Sequence, residues 1–309
     1  MRRIAPVLLA ALVAALVIAA CGGDSGSTAT SRTTGRGDGP APLRIGTKNF
    51  AEQFLLGELY KQALQAKGIS VELKENIGSS EIIHQALRDG ALDMYPEYVG
   101  VLLSEVANVR RRPASPAAAY RAAQAFEQSK GFTLLGATPF SDANALAVTP
   151  AYARRHRVRT IADLARVRGG VRIGAPPEFQ TRFEGLVGLA QRYGLHNAKA
   201  SALAIGRQYG ALDSGAVDVA AVFTTDGQLA GGRYVLLDDP RGVFGTQHLA
   251  PIISEAALRA RGPRVRAVID AVSRLLTAPA MRQMNAAVQL QGRASADVAD
   301  EFLRRNRLK

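Results

Sequence analysis

From Leu43 onward, short apolar runs alternate with longer stretches whose apolar residues recur every three or four positions, the βαβ signature of an α/β domain. Leu43-Arg44-Ile45-Gly46 reads as a strand. Phe50 to Lys67 reads as a helix with Phe54, Leu55, Leu59 and Ala63 on one face and Gly68 as its stop. Ile69 to Leu73 alternates as a second strand. Ser79-Ser80 is placed to cap a helix over Glu81–Arg88, and Gly90 follows its end.

The same plan returns further along the chain. Arg44-Ile45-Gly46 recurs as Arg172-Ile173-Gly174, and ALRDGALD, ending at Asp93, recurs as ALDSGAVD, ending at Asp218. The order is the same and the spacing similar, 44 and 41 residues between the two motif glycines. Five residues past each Asp stands an aromatic, Tyr98 and Phe223. Two similar α/β lobes thus place an aromatic late in, or just past, an equivalent strand. Ligands of open α/β sheets bind beyond the carboxyl ends of the strands, so these two rings are candidate opposite walls of one cleft.

The lobes need not be consecutive. The apolar run Ala145–Val148 reads as a crossing from one lobe to the other, and Tyr234–Leu237 through Ile252-Ile253 as the return. Residues 263–303 carry Val265, Val268, Ile269, Val272, Leu275 and Leu276 at helical spacing and would pack back on the first lobe. Two crossovers make a hinge, as in proteins that close on a ligand.

The N-terminus bears on the compartment. Arg2 and Arg3 precede an uncharged apolar run from Ile4 to Ala20, shorter than a spanning helix needs and typical of a secretory signal. The single cysteine, Cys21, follows Ile18-Ala19-Ala20 in the manner of a bacterial lipobox, which implies a mature chain that begins at Cys21 and carries lipid there. Residues 22–41 are rich in Gly, Ser and Thr, as in a flexible tether. One cysteine excludes an intramolecular disulfide framework and a CxxC site. The net charge of +13, or +11 without Arg2 and Arg3, would ordinarily suggest nucleic acid, but an exported body makes that partner unexpected. Near an anionic membrane it serves as general surface charge.

The segments IGTKNFAEQFLLGELYKQAL, ALRDGALDMYPEYVG, GAPPEFQTR, FTTDGQL and the terminal ADVADEFLRRNRL resemble the substrate-binding protein of an osmoprotectant ABC importer, the glycine betaine/choline/carnitine (quaternary ammonium) family. The similarity runs from about residue 43 to the end. It implies a two-lobed type II periplasmic-binding-protein fold with a hinge and a ligand cleft. The domain plan is then a signal peptide over 1–20, a tether over 21–41, lobe one over 42–146, lobe two over 147–247 and a return to lobe one over 248–309. It implies further a monomer without cofactor or metal, partnered by a small-molecule ligand and by separate permease and ATPase subunits, and touching the membrane only through its lipid.

A trimethylammonium group donates no hydrogen bonds and is held by aromatic faces, while a betaine carboxylate needs cations or backbone N–H groups. On this resemblance Tyr98 and Phe223 grip the cation, and Lys48 and Arg182 hold a carboxylate. Glu178 and Asp142 line the cleft. The family usually supplies about four tyrosines; here Phe223 replaces one, and Asn144 and Gln247 stand where two others would be. Two aromatics with two amides suit a hydrogen-bonding ammonium or a polyol better than a bare trimethylammonium. Tyr95 and Phe140 are further cleft candidates, with core packing as the simpler role.

An enzyme is not expected. His84, His156, His196 and His248 fit no metal-protease spacing, there is no GxSxG, and the only Cys belongs to the lipobox. The remaining alternatives are a binding protein for another small polar or zwitterionic solute, and a ligand-sensing lipoprotein.

Overall fold

The computed structural model describes residues 41–110, 113–204, 206–245 and 247–309. The signal, Cys21 and all but the last residue of the tether lie outside the described residues. A single compact unit running from Pro40 to Lys309 contains two five-stranded sheets.

The strands are β1 (Leu43–Gly46), β2 (Val71–Lys74), β3 (Met94–Tyr98), β4 (Phe132–Leu134), β5 (Asn144–Val148), β6 (Val171–Ala175), β7 (Ala198–Ala202), β8 (Val219–Phe223), β9 (Val235–Leu236) and β10 (Leu249–Ser254). The first sheet has the order β2-β1-β3-β10-β4 and the second β7-β6-β8-β5-β9. Each has a parallel trio, with β1 between β2 and β3 and β6 between β7 and β8. Each then gains an antiparallel strand: β10 beside β3, and β5 beside β8. The two sheets therefore have one topology, and the antiparallel strand of each directly follows a chain crossing.

The repeated motifs form the same clasp twice. Arg44 grips the Asp93 carboxylate with both its guanidinium and its backbone N–H, with Nη2 to Oδ1 at 2.7 Å and N to Oδ2 at 2.8 Å. Arg172 grips Asp218 alike, at 2.7 and 3.0 Å. In each lobe this fixes the start of the third parallel strand, β3 or β8, against the first and so sets where the aromatic at its far end falls.

An apolar core between the first sheet and the helix Ala51–Gln65 contains Leu55, Leu59 and Ala63, as the spacing predicts, while Phe54, expected on the same face, is only half-buried and lies outside that core. The C-terminal helices Pro263–Leu275, Ala278–Gln289 and Ser295–Arg305 close it with Val265, Ile269, Met281 and Leu303. The second lobe has its own core around Leu146, Ile173, Leu189 and Val219.

Two expectations change. The expected lobe boundary at 146/147 cuts β5, whose whole length pairs in the second sheet, so the crossing precedes Asn144. The apolar run from Ala145 hid this, because Asn144 reads as a loop residue. The Ser79-Ser80 pair makes no side-chain cap: Ser79 is extended without a capping bond, and the Ser80 hydroxyl instead accepts a bond from Lys48.

Candidate functional site

In the first lobe, β1 ends at Gly46 and the chain passes through Lys48 and Phe50 into the helix at Ala51. Lys48 is buried, its Nζ 2.6 Å from Glu97 Oε1 and 3.2 Å from Ser80 Oγ. The same ammonium lies 4.4 Å from the centre of the Tyr98 ring and 5.7 Å from that of Phe50. Phe50 stacks on Tyr98 with centroids 6.2 Å apart and stays 38% exposed, which is unusual for a ring this size. The Tyr98 hydroxyl, at the end of β3, donates to Glu52 Oε1 at 2.6 Å. Burial first, and the Glu52 charge next, push the Tyr98 phenol well above its usual range. Burial likewise raises the Glu52 carboxyl.

The second lobe is built differently. Phe223 ends β8 and Asn144 begins β5, directly opposite each other, so their side chains leave the same face of the sheet. The Asn144 amide donates to Glu184 Oε2 at 3.3 Å. Glu178 and Arg182 are both exposed, joined only by the backbone bond from Arg182 N–H to the Glu178 carbonyl. Counted from the repeated motifs, Pro176 and Val222 stand where the first lobe has Lys48 and Glu97.

Between the walls lies a joint. Asp142 accepts from Thr225 Oγ1 at 2.7 Å, and its N–H donates to the Gln247 carbonyl. Its carboxyl is raised well above the ordinary range by burial and by the Glu52 charge. Asp226 Oδ2 accepts from Phe223 N–H and from the Tyr209 hydroxyl, and burial raises this carboxyl too. The Thr225-Asp226-Gly227 turn sits on the helix Ala278–Gln289 of the first lobe. Arg282 Nε donates to the Thr224 carbonyl at 2.7 Å, and Asn285 Nδ2 donates to the Thr225 carbonyl at 2.9 Å. Gly227 is required by closeness: a Cβ there would meet Ala286 Cα at 2.6 Å.

The structure brings Lys48, Tyr98 and Asp142 together with the joint, and pairs Asn144 with Phe223. It leaves Glu178 and Arg182 on the exposed face. Lys48 is already held by Glu97, and Gln247 is turned into the first lobe, its Oε1 accepting Val101 N–H at 3.1 Å against Gly100. Tyr95 and Phe140 are core residues with no exposure. Sequence reasoning missed Phe50, Glu52, Glu97 and Asn285. The first three lie inside the KNF-x-EQ and YPEY segments and were open to notice. Asn285 had no signal, since only folding brings its helix to Glu52.

Two lobes of one topology, joined by two crossings and carrying an aromatic at the end of the equivalent strand, define a solute-binding protein of the type II periplasmic class. A family model described as the substrate-binding domain of an ABC-type glycine betaine transport system matches residues 41–305, and the chain belongs to this family. It is 29% identical over 277 residues to a glycine-betaine-binding protein of Pseudomonas aeruginosa, covering 86% of this chain and 88% of the relative. It is 27% identical over 281 residues to the glycine betaine-binding protein YehZ of Escherichia coli, covering 85% and 90%. Among solved structures, one described as a glycine betaine/carnitine/choline ABC transporter superposes with a TM-score of 0.80 at 25% identity, covering 86% of this chain and 99% of the other. The family is a transporter's substrate-binding component, not an enzyme, and works outside the cytoplasm with a small-molecule ligand and a permease. Among the described residues no helix is long and apolar enough to cross a membrane.

Proposed function

We propose that this chain captures a small quaternary-ammonium osmolyte of the glycine betaine, choline or carnitine type by lobe closure and hands it to an ABC permease. The observation that carries the reading is the Phe50–Tyr98 stack with an ammonium 4.4 Å from the Tyr98 centroid, an aromatic surface suited to cations. Such a contact is worth roughly 0.5–2 kcal/mol, more when water is excluded. Phe223 supplies the facing ring, with Asn144 beside it as a hydrogen-bonding group. Because Lys48 is neutralised by Glu97, a ligand carboxylate falls chiefly to Arg182, which closure would carry inward with Glu178 at the rim. Asp142 and Gln247 act from the joint, holding the walls in register.

The test is calorimetric titration of residues 40–309 with glycine betaine, choline, carnitine, proline betaine and ectoine. At least one quaternary ammonium binds, and Tyr98→Ala weakens it about thirtyfold, a loss of about 2 kcal/mol. Absence of heat with every ligand, or an unchanged affinity in the variant, overturns the reading. The lipid on Cys21 and the monomeric state belong to the same proposal. Cys21→Ala is expected to move the protein from the membrane fraction to the soluble one, and sedimentation gives the mass of one chain.

A further inference from the structure

Glu52 bonds both the aromatic wall and the helix on which the joint sits. It stands in the first turn of the helix Ala51–Gln65 and is almost wholly buried. Its Oε1 accepts the Tyr98 hydroxyl at 2.6 Å, and its Oε2 accepts Asn285 Nδ2, also at 2.6 Å. That same Asn285 nitrogen donates to the Thr225 carbonyl at 2.9 Å, in the turn of the second lobe. An unbroken chain of hydrogen bonds thus runs from the ring of the first wall, through one carboxylate, into the opposite lobe.

We propose that Glu52 is a positioning residue that couples the Tyr98 ring to the orientation of the second lobe. The two oxygens of a carboxylate are fixed in one plane, so a displacement at one is transmitted to the other. When the Thr225 turn moves away, Asn285 loses an acceptor and its grip on Oε2 slackens. The carboxylate is then free to turn, and the phenol that fixes the ring turns with it. The linkage is reciprocal: a ligand that holds the Tyr98 ring in place stabilises the Thr225 turn against the helix Ala278–Gln289. Burial makes each of these bonds costly to leave unmade, so the coupling is not dissipated into water.

The part of this inference that concerns ligand rests on the proposed function, while the coupling itself is testable without ligand. The readout is hydrogen exchange of the Thr224, Asp226, Leu229 and Ala230 amides, all of them bonded within or beside the turn. Tyr98→Phe removes only the phenol oxygen, and none of the Tyr98 bonds goes to that turn. It is expected to speed exchange there about tenfold in ligand-free protein, and Glu52→Gln does so at least as much. Tyr120→Phe is the control, since its hydroxyl bonds the Leu134 and Leu135 carbonyls elsewhere, and it leaves the turn unchanged. With glycine betaine as probe, Tyr98→Phe and Asn285→Ala each weaken binding, and the double variant weakens it by less than the product of the two.

Unchanged exchange at the turn in Tyr98→Phe overturns the coupling, whether or not Glu52→Gln folds. Strictly multiplicative effects of Tyr98→Phe and Asn285→Ala on affinity overturn it as well. Failure of the unsubstituted protein to bind any quaternary ammonium instead overturns the ligand reading, and the exchange measurement still decides the coupling.

Discussion

The two lobes share one topology and one Arg–Asp clasp, yet they bury very different chemistry. The first encloses Lys48, Glu52, Glu58, His84, Glu97 and Glu127, together with buried amides and hydroxyls. Among its described residues the second buries Gln208 and Thr225, with Asp226 half-buried at the joint, and its cores are otherwise apolar. At the positions matching Lys48 and Glu97 it has Pro176 and Val222. The lesson is a division of labour. The first wall is locked by charged bonds before any ligand arrives. The second leaves Arg182 and Glu178 exposed and Phe223 half-buried, so under the proposed function its half of the site would be completed only as the lobes close.

The comparison is broken most severely at its matching strand positions. Glu97→Ala leaves the Lys48 ammonium buried without its partner, an expected loss of about 3–5 kcal/mol in urea unfolding. Val222→Ala in the second lobe removes only apolar volume and should cost about 2 kcal/mol. Equal losses would mean that the first wall is not held by its ion pair.

A pH titration sharpens the contrast, because His84 and Glu127, two buried groups displaced to values near 4 and 8, both lie in the first lobe. Burial, aided by the Glu97 charge, raises Glu127 from 4.5 to about 8, and burial lowers His84 from 6.5 to about 4. His84 favours unfolding as the pH falls from 6.5 toward 4, since the unfolded chain takes up a proton that the folded one refuses. Glu127 does the reverse: stability falls as the pH rises from 4.5 to 8, because the unfolded carboxyl has already released its proton. Between 4.5 and 6.5 the two oppose each other; from 6.5 to 8 Glu127 acts without His84. The melting temperature is expected to fall over that upper window, and Glu127→Gln should remove much of the fall.

Smaller effects test the second wall and the clasp. Phe223→Ala should weaken quaternary-ammonium binding about fivefold, near 1 kcal/mol, because its ring is one partner on the wall formed last. An effect as large as that of Tyr98→Ala would show that both walls contribute alike. In the clasp, Arg44→Ala is expected to cost about 1 kcal/mol, with its side chain 34% exposed. Arg172→Ala should cost less, since that side chain is 56% exposed and more screened by water. Paired thermal melts decide the order.

Much of the fold was legible because it rests on local signals. Apolar periodicity marked the strand at Leu43 and the helix that follows it, and the recurrence of Arg-Ile-Gly and of the two Asp motifs marked the lobes as copies. It also placed Tyr98 and Phe223 correctly, each the last residue of its strand. Of the candidate site, the strand-end position of the aromatics was legible and the pairing of the charges much less so. Lys48 and Gln247 have the residue types of ligand contacts, but a residue type does not reveal which partner reaches it first. Glu97 is 49 positions from Lys48, and nothing between them announces the pairing.

The amino-acid sequence by itself determined the repeat, the order of the elements and the family, because these follow from periodicity and short motifs that need no distant partner. Only the tertiary structure decided that β5 lies wholly in the second sheet, that Lys48 is spent on Glu97, and that Glu52 joins Tyr98 to Asn285, which lies 233 positions from Glu52 along the chain. The physical reason is that burial and hydrogen-bond competition are properties of the packed chain. A lysine beside an aromatic is a ligand hand or a structural strut according to what folding places within 3 Å of its nitrogen, and here folding places a carboxylate.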